Sequence, residues 1–107
     1  MINHEVVDGT ITIALFGEMD LASHDLLTTM LDTCVASTTG DIHLDCAELE
    51  FLDATSLSVL VRIHEELERN DRRLIVDRAR PNISRVFEIT GLDQLLHIRE
   101  QAVVDEN

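Results

Sequence analysis

Two spacings of apolar residues alternate along the chain and divide it into short elements. Ile11, Ile13 and Leu15 fall at every second position, which predicts a strand from Thr10 to Phe16 with one buried face. A shorter β-rich run over residues 4–7 precedes it, and Asp8-Gly9 between the two is the turn of a hairpin. Gly17-Glu18-Met19-Asp20 breaks the second strand. The spacing then changes to a helical one in "HDLLTTMLDTCVAS": Leu26, Leu27, Met30, Leu31, Cys34 and Val35 share a face, and Ser23 is placed to cap it.

Beyond Gly40 the strand pattern returns near 41–46, where Ile42 and Leu44 alternate with His43 and Asp45. A loop through Phe51-Leu52-Asp53 leads into a second amphipathic helix over about 55–69. "RRLIVDRA" gives a strand near 73–77 whose unbroken apolar centre suits burial on both faces. Pro81 opens a short helix, "NISRVFEIT", and Gly91 closes it. Leu92, Leu95, Leu96 and Ile98 introduce a last strand near 96–99. The predicted order is β-β-α-β-α-β-α-β, an α/β fold with a mixed sheet of about five strands and helices packed on it. The whole of 1–107 reads as one domain, with a polar tail over 100–107 that frays or ends in a short helix.

Advancing about 100° per residue along the second helix puts Leu57, Leu60, Val61, His64 and Leu67 in one stripe facing the sheet. Thr55, Val59, Arg62, Ile63 and Glu66 fall on the other side. Val59 and Ile63 are apolar where a surface helix is polar. They are ordinary exposed aliphatics, or they touch a neighbouring helix, or they belong to a mixed apolar and charged patch that binds a protein.

Composition narrows the partners. The net charge of −13, from 21 acids against 8 bases, repels nucleic acid and anionic membrane surfaces and favours a basic protein surface. No apolar run reaches the roughly 18 residues of a membrane span, and the first residues lack the pattern of a secretory signal, so a cytoplasmic protein is expected, without membrane insertion. Cys34 and Cys46 are isolated and read as small buried hydrophobes. His64 sits on the apolar stripe as a core histidine. His4, His24, His43 and His97 are scattered without ligand spacing, so no metal and no cofactor is assigned.

The polar chemistry collects at the start of the second helix. Asp53 is a good N-cap there, and Thr55 and Ser56 fit a first turn, which accounts for all three as structure. No histidine stands at a useful spacing to activate either hydroxyl, no glycine-rich phosphate loop is present, and nothing pairs Asp20 with Asp53 as acid and base. Catalysis and nucleotide binding find no support in these residues.

Four segments, in order, resemble the STAS domain (sulphate transporter and anti-sigma factor antagonist). "FLDATSLSVLV" is similar to its signature, an apolar pair, Asp, two small or hydroxyl residues, Gly and Leu. "LFGEMDLAS" resembles its Gly-Glu-Leu-Asp element, "IHLDCAELEFLD" its strand and following loop, and "VFEITGLDQLLHI" its closing segment. The chain departs from the usual form in having Ala54 where Ser is common and Ser56 where Gly is usual.

The resemblance implies a single-domain bacterial anti-sigma factor antagonist. The unphosphorylated form would bind an anti-sigma factor serine/threonine kinase and free a sigma factor. Phosphorylation would block that binding, and a serine phosphatase would restore it. By position Thr55 is the acceptor, with Ser56 as second choice. Asp20 and Asp53 are the flanking acids, and Val59, Arg62, Ile63 and Glu66 form the partner contact of a monomer or weak dimer. The alternative is a STAS module that does not switch, such as the docking subunit of a membrane lipid-transport ATPase.

Overall fold

The computed structural model describes residues 2–7 and 10–99. The Asp8-Gly9 turn and the 100–107 tail lie outside the described residues. Five strands form a sheet in simple sequential order: β1 (Ile2–Val7), β2 (Thr10–Met19), β3 (Ile42–Leu52), β4 (Leu74–Asp77) and β5 (His97–Ile98). β1 pairs antiparallel with β2, starting from Val7 opposite Thr10, and the remaining pairs are parallel. The crossovers are α1 (His24–Ser37), α2 (Ala54–Glu68) and α3 (Pro81–Thr90), the last followed by a 3-10 turn at Leu92–Gln94.

Because each parallel strand lies beside its predecessor, right-handed crossovers all return over the same face of the sheet. Burial agrees. Ile11, Ile13, Leu15, Ile42, Leu44, Cys46, Leu74 and Val76 are buried at alternate positions, while Thr12 is exposed and Ala14, His43, Asp45 and Asp77 are half-buried on the opposite face. Leu27, Leu31 and Cys34 of α1, most of the inner face of α2, and Ile83 and Phe87 of α3 complete the core. Ile75, on the face away from the helices, is also buried, as its continuous apolar strand predicts.

Two strands run further than the residue pattern indicates. β2 continues through Gly17 to Met19, which is fully buried, and β3 continues to Leu52 where a loop was expected. The two strands pair across register shifts at Ala14/Phe16 and Gly17/Glu18, and Gly17 has φ 72. These bulges disturb the alternation of buried positions without ending the ladder. The glycine at 17 bends the strand in a conformation that costs other residues more.

Ser23 occupies the N-cap position of α1 but makes no side-chain cap bond to it. A 3-10 turn, Leu21–Ser23, comes first and is capped by Asp20. Gly91 closes α3 at φ 78, as expected.

Candidate functional site

β2 and β3 end side by side, and the polar cluster is built on that junction. Met19 lies opposite Leu52, and the Asp53 N–H donates to the Met19 carbonyl at 3.0 Å. The next residue along β2 is Asp20, so both acids leave the same edge of the sheet. This carboxyl end of parallel strands is where α/β folds place their ligand sites.

Each acid is an N-cap in extended backbone. The Asp20 carboxylate accepts from the amides of Ala22 (3.1 Å) and Ser23 (3.3 Å), and the Ser23 hydroxyl accepts from the Asp20 amide at 2.9 Å. At α2, one oxygen of Asp53, Oδ1, accepts both the Ser56 N–H (2.9 Å) and the Thr55 hydroxyl (2.8 Å). The Ser56 amide, aided by the Thr55 hydroxyl, holds the Asp53 carboxyl below its ordinary value, so it is ionised at neutral pH.

Thr55 is exposed, with its proton directed at Asp53 and its oxygen open to solvent. Ser56, one residue on, is fully buried; its hydroxyl closes no hydrogen bond of good geometry among the described residues, but it lies close enough to Asp53 to help hold that carboxyl down. The Ser56 hydroxyl is therefore not presented at the surface of the folded chain, whereas that of Thr55 is on an exposed residue. The same burial means that Ser56, standing where the family has Gly, does not crowd an approaching surface.

The expected contact residues divide. Val59 is 4% exposed and Ile63 0%, both in the core, which agrees with the helix-contact alternative and corrects their place in an outer patch. α2 packs on α1 as well as on the sheet, and the second neighbour widens its buried arc to include them. Val61, placed by the sequence pattern against the sheet, is rotated out to half-burial. Arg62 and Glu66 remain on the surface. Arg62 Nη1 lies 3.1 Å from Asp32 of α1 and 3.7 Å from Glu66. Thr55, Ser58, Arg62 and Glu66 form the outward row of the helix.

Three large apolar side chains that the sequence reading did not single out as surface are exposed near the two cap residues in sequence. Leu21 is 74% exposed, Leu26 54% and Phe51 49%. Leu21 follows Asp20, Phe51 stands two residues before Asp53, and Leu26 is in the first turn of α1, which the helical spacing had placed in the buried stripe. The available signal was their position next to the two cap residues.

The other candidates are structural. His64 is buried, with Nε2 3.6 Å from Glu68 and Nδ1 without a partner, so it is a core histidine that lacks full hydrogen bonding. Burial pushes the Cys34 thiol up and the Cys46 thiol to about 12, leaving both as unreactive thiols. Among the described residues no group of three or more His, Cys, Asp or Glu is arranged to hold a metal ion, and no helix is long and apolar enough to cross a membrane.

Known proteins share this architecture. The STAS domain model matches residues 1–103. An anti-sigma-B factor antagonist from Staphylococcus epidermidis is 32% identical over 89 residues, covering 83% of this chain and 82% of its own length. An anti-sigma factor antagonist from Mycobacterium paratuberculosis, 25% identical, superposes with a TM-score of 0.83 over 94% of this chain and 86% of that one. The Bacillus cell fate determinant SpoIIAA, solved in its phosphorylated form, is 24% identical. It aligns with a TM-score of 0.72 over 94% of this chain and 92% of its own, a likeness of fold. The extent of the family match and the identity to the staphylococcal protein place this chain in the STAS domain family.

Proposed function

We propose that this chain is an anti-sigma factor antagonist controlled by phosphorylation of Thr55. In its unmodified state it docks an anti-sigma factor serine/threonine kinase through the surface around Asp20, Asp53 and Thr55, and so frees a sigma factor. Modification of Thr55 ends that docking, and a serine phosphatase resets it. The observation that carries the reading is the pair of neighbouring hydroxyls. Thr55 is exposed at a helix start, and Ser56 is sealed in the core.

A phosphate there adds about −1.5 to −2 charges beside two carboxylates, in the middle of a contact face. Docking then has to desolvate that charge against Leu21, Leu26 and Phe51, which is unfavourable. The fold tolerates the same charge, because a helix N-terminus is electrostatically suited to an anion. The staphylococcal relative named as an anti-sigma-B factor antagonist supports the reading.

Incubation with an anti-sigma kinase and ATP, followed by phosphopeptide mapping, tests it. Label is expected on Thr55 and not on Ser56. Thr55→Ala is expected to bind the kinase persistently and Thr55→Glu about tenfold or more weakly, equivalent to roughly 1.4 kcal/mol. Equal affinities of the two variants would remove the switch. Co-purification with a membrane lipid-transport ATPase in place of a kinase would assign the chain to the non-switching class.

A further inference from the structure

The two edges of the sheet are built differently. β5, on one side, is two residues long, too short to template another strand. β1, on the other, runs for six residues and pairs with β2 without a register shift, so its outer edge carries regularly spaced backbone donors and acceptors. It contains neither proline nor lysine, residues that blunt such an edge. α1, α2 and α3 connect β2 to β3, β3 to β4 and β4 to β5, so all three lead away from β1. Among the described residues β2 is its one strand partner.

An open strand edge is completed by another strand, and β1 is suited to a second copy of itself. A two-fold axis that joins two such edges in antiparallel pairing stands perpendicular to the sheet and keeps the helices of both copies on one side. Opposed residues share a face, and even and odd positions of β1 take opposite faces, so the numbers of opposed residues sum to an even value. Two registers of this kind pair five of the six residues, one about His4 and one about Glu5. The register about Glu5 sets that carboxylate against its own copy and Asn3 against Val7. The register about His4 sets Ile2 against Val6 and Asn3 against Glu5, each twice. Ile2 and Val6 stand opposite Leu15 and Ile11 of β2, at positions of the helix-covered face, while Asn3 and Glu5 are exposed on the other face. Apolar then meets apolar, and an amide meets a carboxylate.

We propose that the chain associates with a second copy through β1, antiparallel and in register about His4, joining two five-stranded sheets into one. The contact is isologous and closes on itself, because each copy contributes the same edge. It also lies apart from Thr55. β1 reaches Leu15 of β2, and the Asp20 junction is five residues further on, about 17 Å at roughly 3.3 Å per residue. The dimer therefore presents two Thr55 surfaces at once, forms whatever the state of Thr55, and does not depend on the antagonist reading.

Sedimentation equilibrium of the full chain over a range of concentrations tests this, at physiological salt, where charges more than about 8 Å apart are screened. A concentration-dependent dimer is expected. Asn3→Lys sets a cation against Glu5 in both halves of the contact and should tighten the dimer about fivefold, while Asn3→Glu should weaken it about as much. His4→Cys brings two thiols together at the axis, with Cα atoms about 4.5–5.5 Å apart and within disulfide reach, so oxidised glutathione should yield a covalent dimer. Glu5→Cys lies diagonal to its own copy and should yield none. The native Cys34 and Cys46 are buried and do not compete. A chain that is monomeric at every concentration overturns the proposal. So does a dimer indifferent to both Asn3 variants, or one that cross-links through Glu5→Cys and not through His4→Cys.

Discussion

Ile63→Ala separates a core residue from a docking residue on the outer half of α2. The side chain is fully buried between the sheet and α1, beside Val59. Removing three carbons forfeits about 2.4 kcal/mol at roughly 0.8 kcal/mol per methylene, and the cavity left behind raises the expected loss to about 3 kcal/mol. For 107 residues the unfolding entropy is about 0.22 kcal/mol per kelvin, so the thermal midpoint falls by about 13 °C. Arg62→Ala, one residue away, gives up only the exposed contacts to Asp32 and Glu66 and should cost about 0.5 kcal/mol or less. Urea unfolding followed by far-ultraviolet circular dichroism measures both, with the slope of the transition confirming that the folded state stays compact. If Ile63→Ala unfolds within about 0.5 kcal/mol of wild type and instead loses kinase binding, the side chain is a surface contact and the packing argument is refuted.

Two further outcomes follow from the polar groups. Ser56→Ala removes a buried hydroxyl that closes no well-formed hydrogen bond among the described residues and only a weak contact to Asp53, in a helix that favours alanine, so stability should change by less than about 1 kcal/mol in urea unfolding. A loss of more than about 1 kcal/mol would show that the hydroxyl is bonded. Partial burial works against charge on Asp45, but the Arg78 guanidinium at 2.6 and 3.1 Å and the Ala47 amide outweigh it, holding the carboxyl below its ordinary value of 3.8. A depressed carboxylate contributes stability that is fully present above that ordinary value and is lost as the pH falls through the lower folded one. Arg78→Ala should therefore move the acid-unfolding midpoint to higher pH in a circular-dichroism titration, and an unshifted curve would refute the pairing.

The elements were legible where a single neighbour governs burial. β4, α3 and the Gly91 stop follow from a continuous apolar run, a helical period and one glycine, because β4 is covered on both faces and α3 meets the core along one side. α2 was legible as a helix but not in its rotation. Hydrophobic period reports how wide the buried arc is and not what covers it, and two coverings brought in Val59 and Ile63 and released Val61. The ends of β2 and β3 were missed for another reason. Their bulged pairing lets Glu48, Glu50 and Phe51 stand in the last five residues of a strand, where only Leu49 and Leu52 are buried. Of the site, the family motif located Asp20, Asp53 and Thr55. The exposure of Leu21, Leu26 and Phe51 depends on the junction of two strands distant in sequence, which no local pattern records.

That junction also explains why neighbouring hydroxyls have opposite fates. Successive helical residues point about 100° apart, so Thr55 stands on the edge of the buried arc and faces solvent while Ser56 and Leu57 enter the core. Asp53 fixes the turn by taking the Ser56 amide and the Thr55 hydroxyl on the same oxygen. Esterifying Thr55 removes one of those donors, yet the amide bond remains, and Leu57, Val59, Leu60 and Ile63 still anchor the helix beneath it. Under the proposed switch, the cap bond that phosphorylation removes is not the one on which the helix start depends. The charge therefore alters the surface presented to a partner while the packing below it stays as it was, and the state of Thr55 can be read by docking alone.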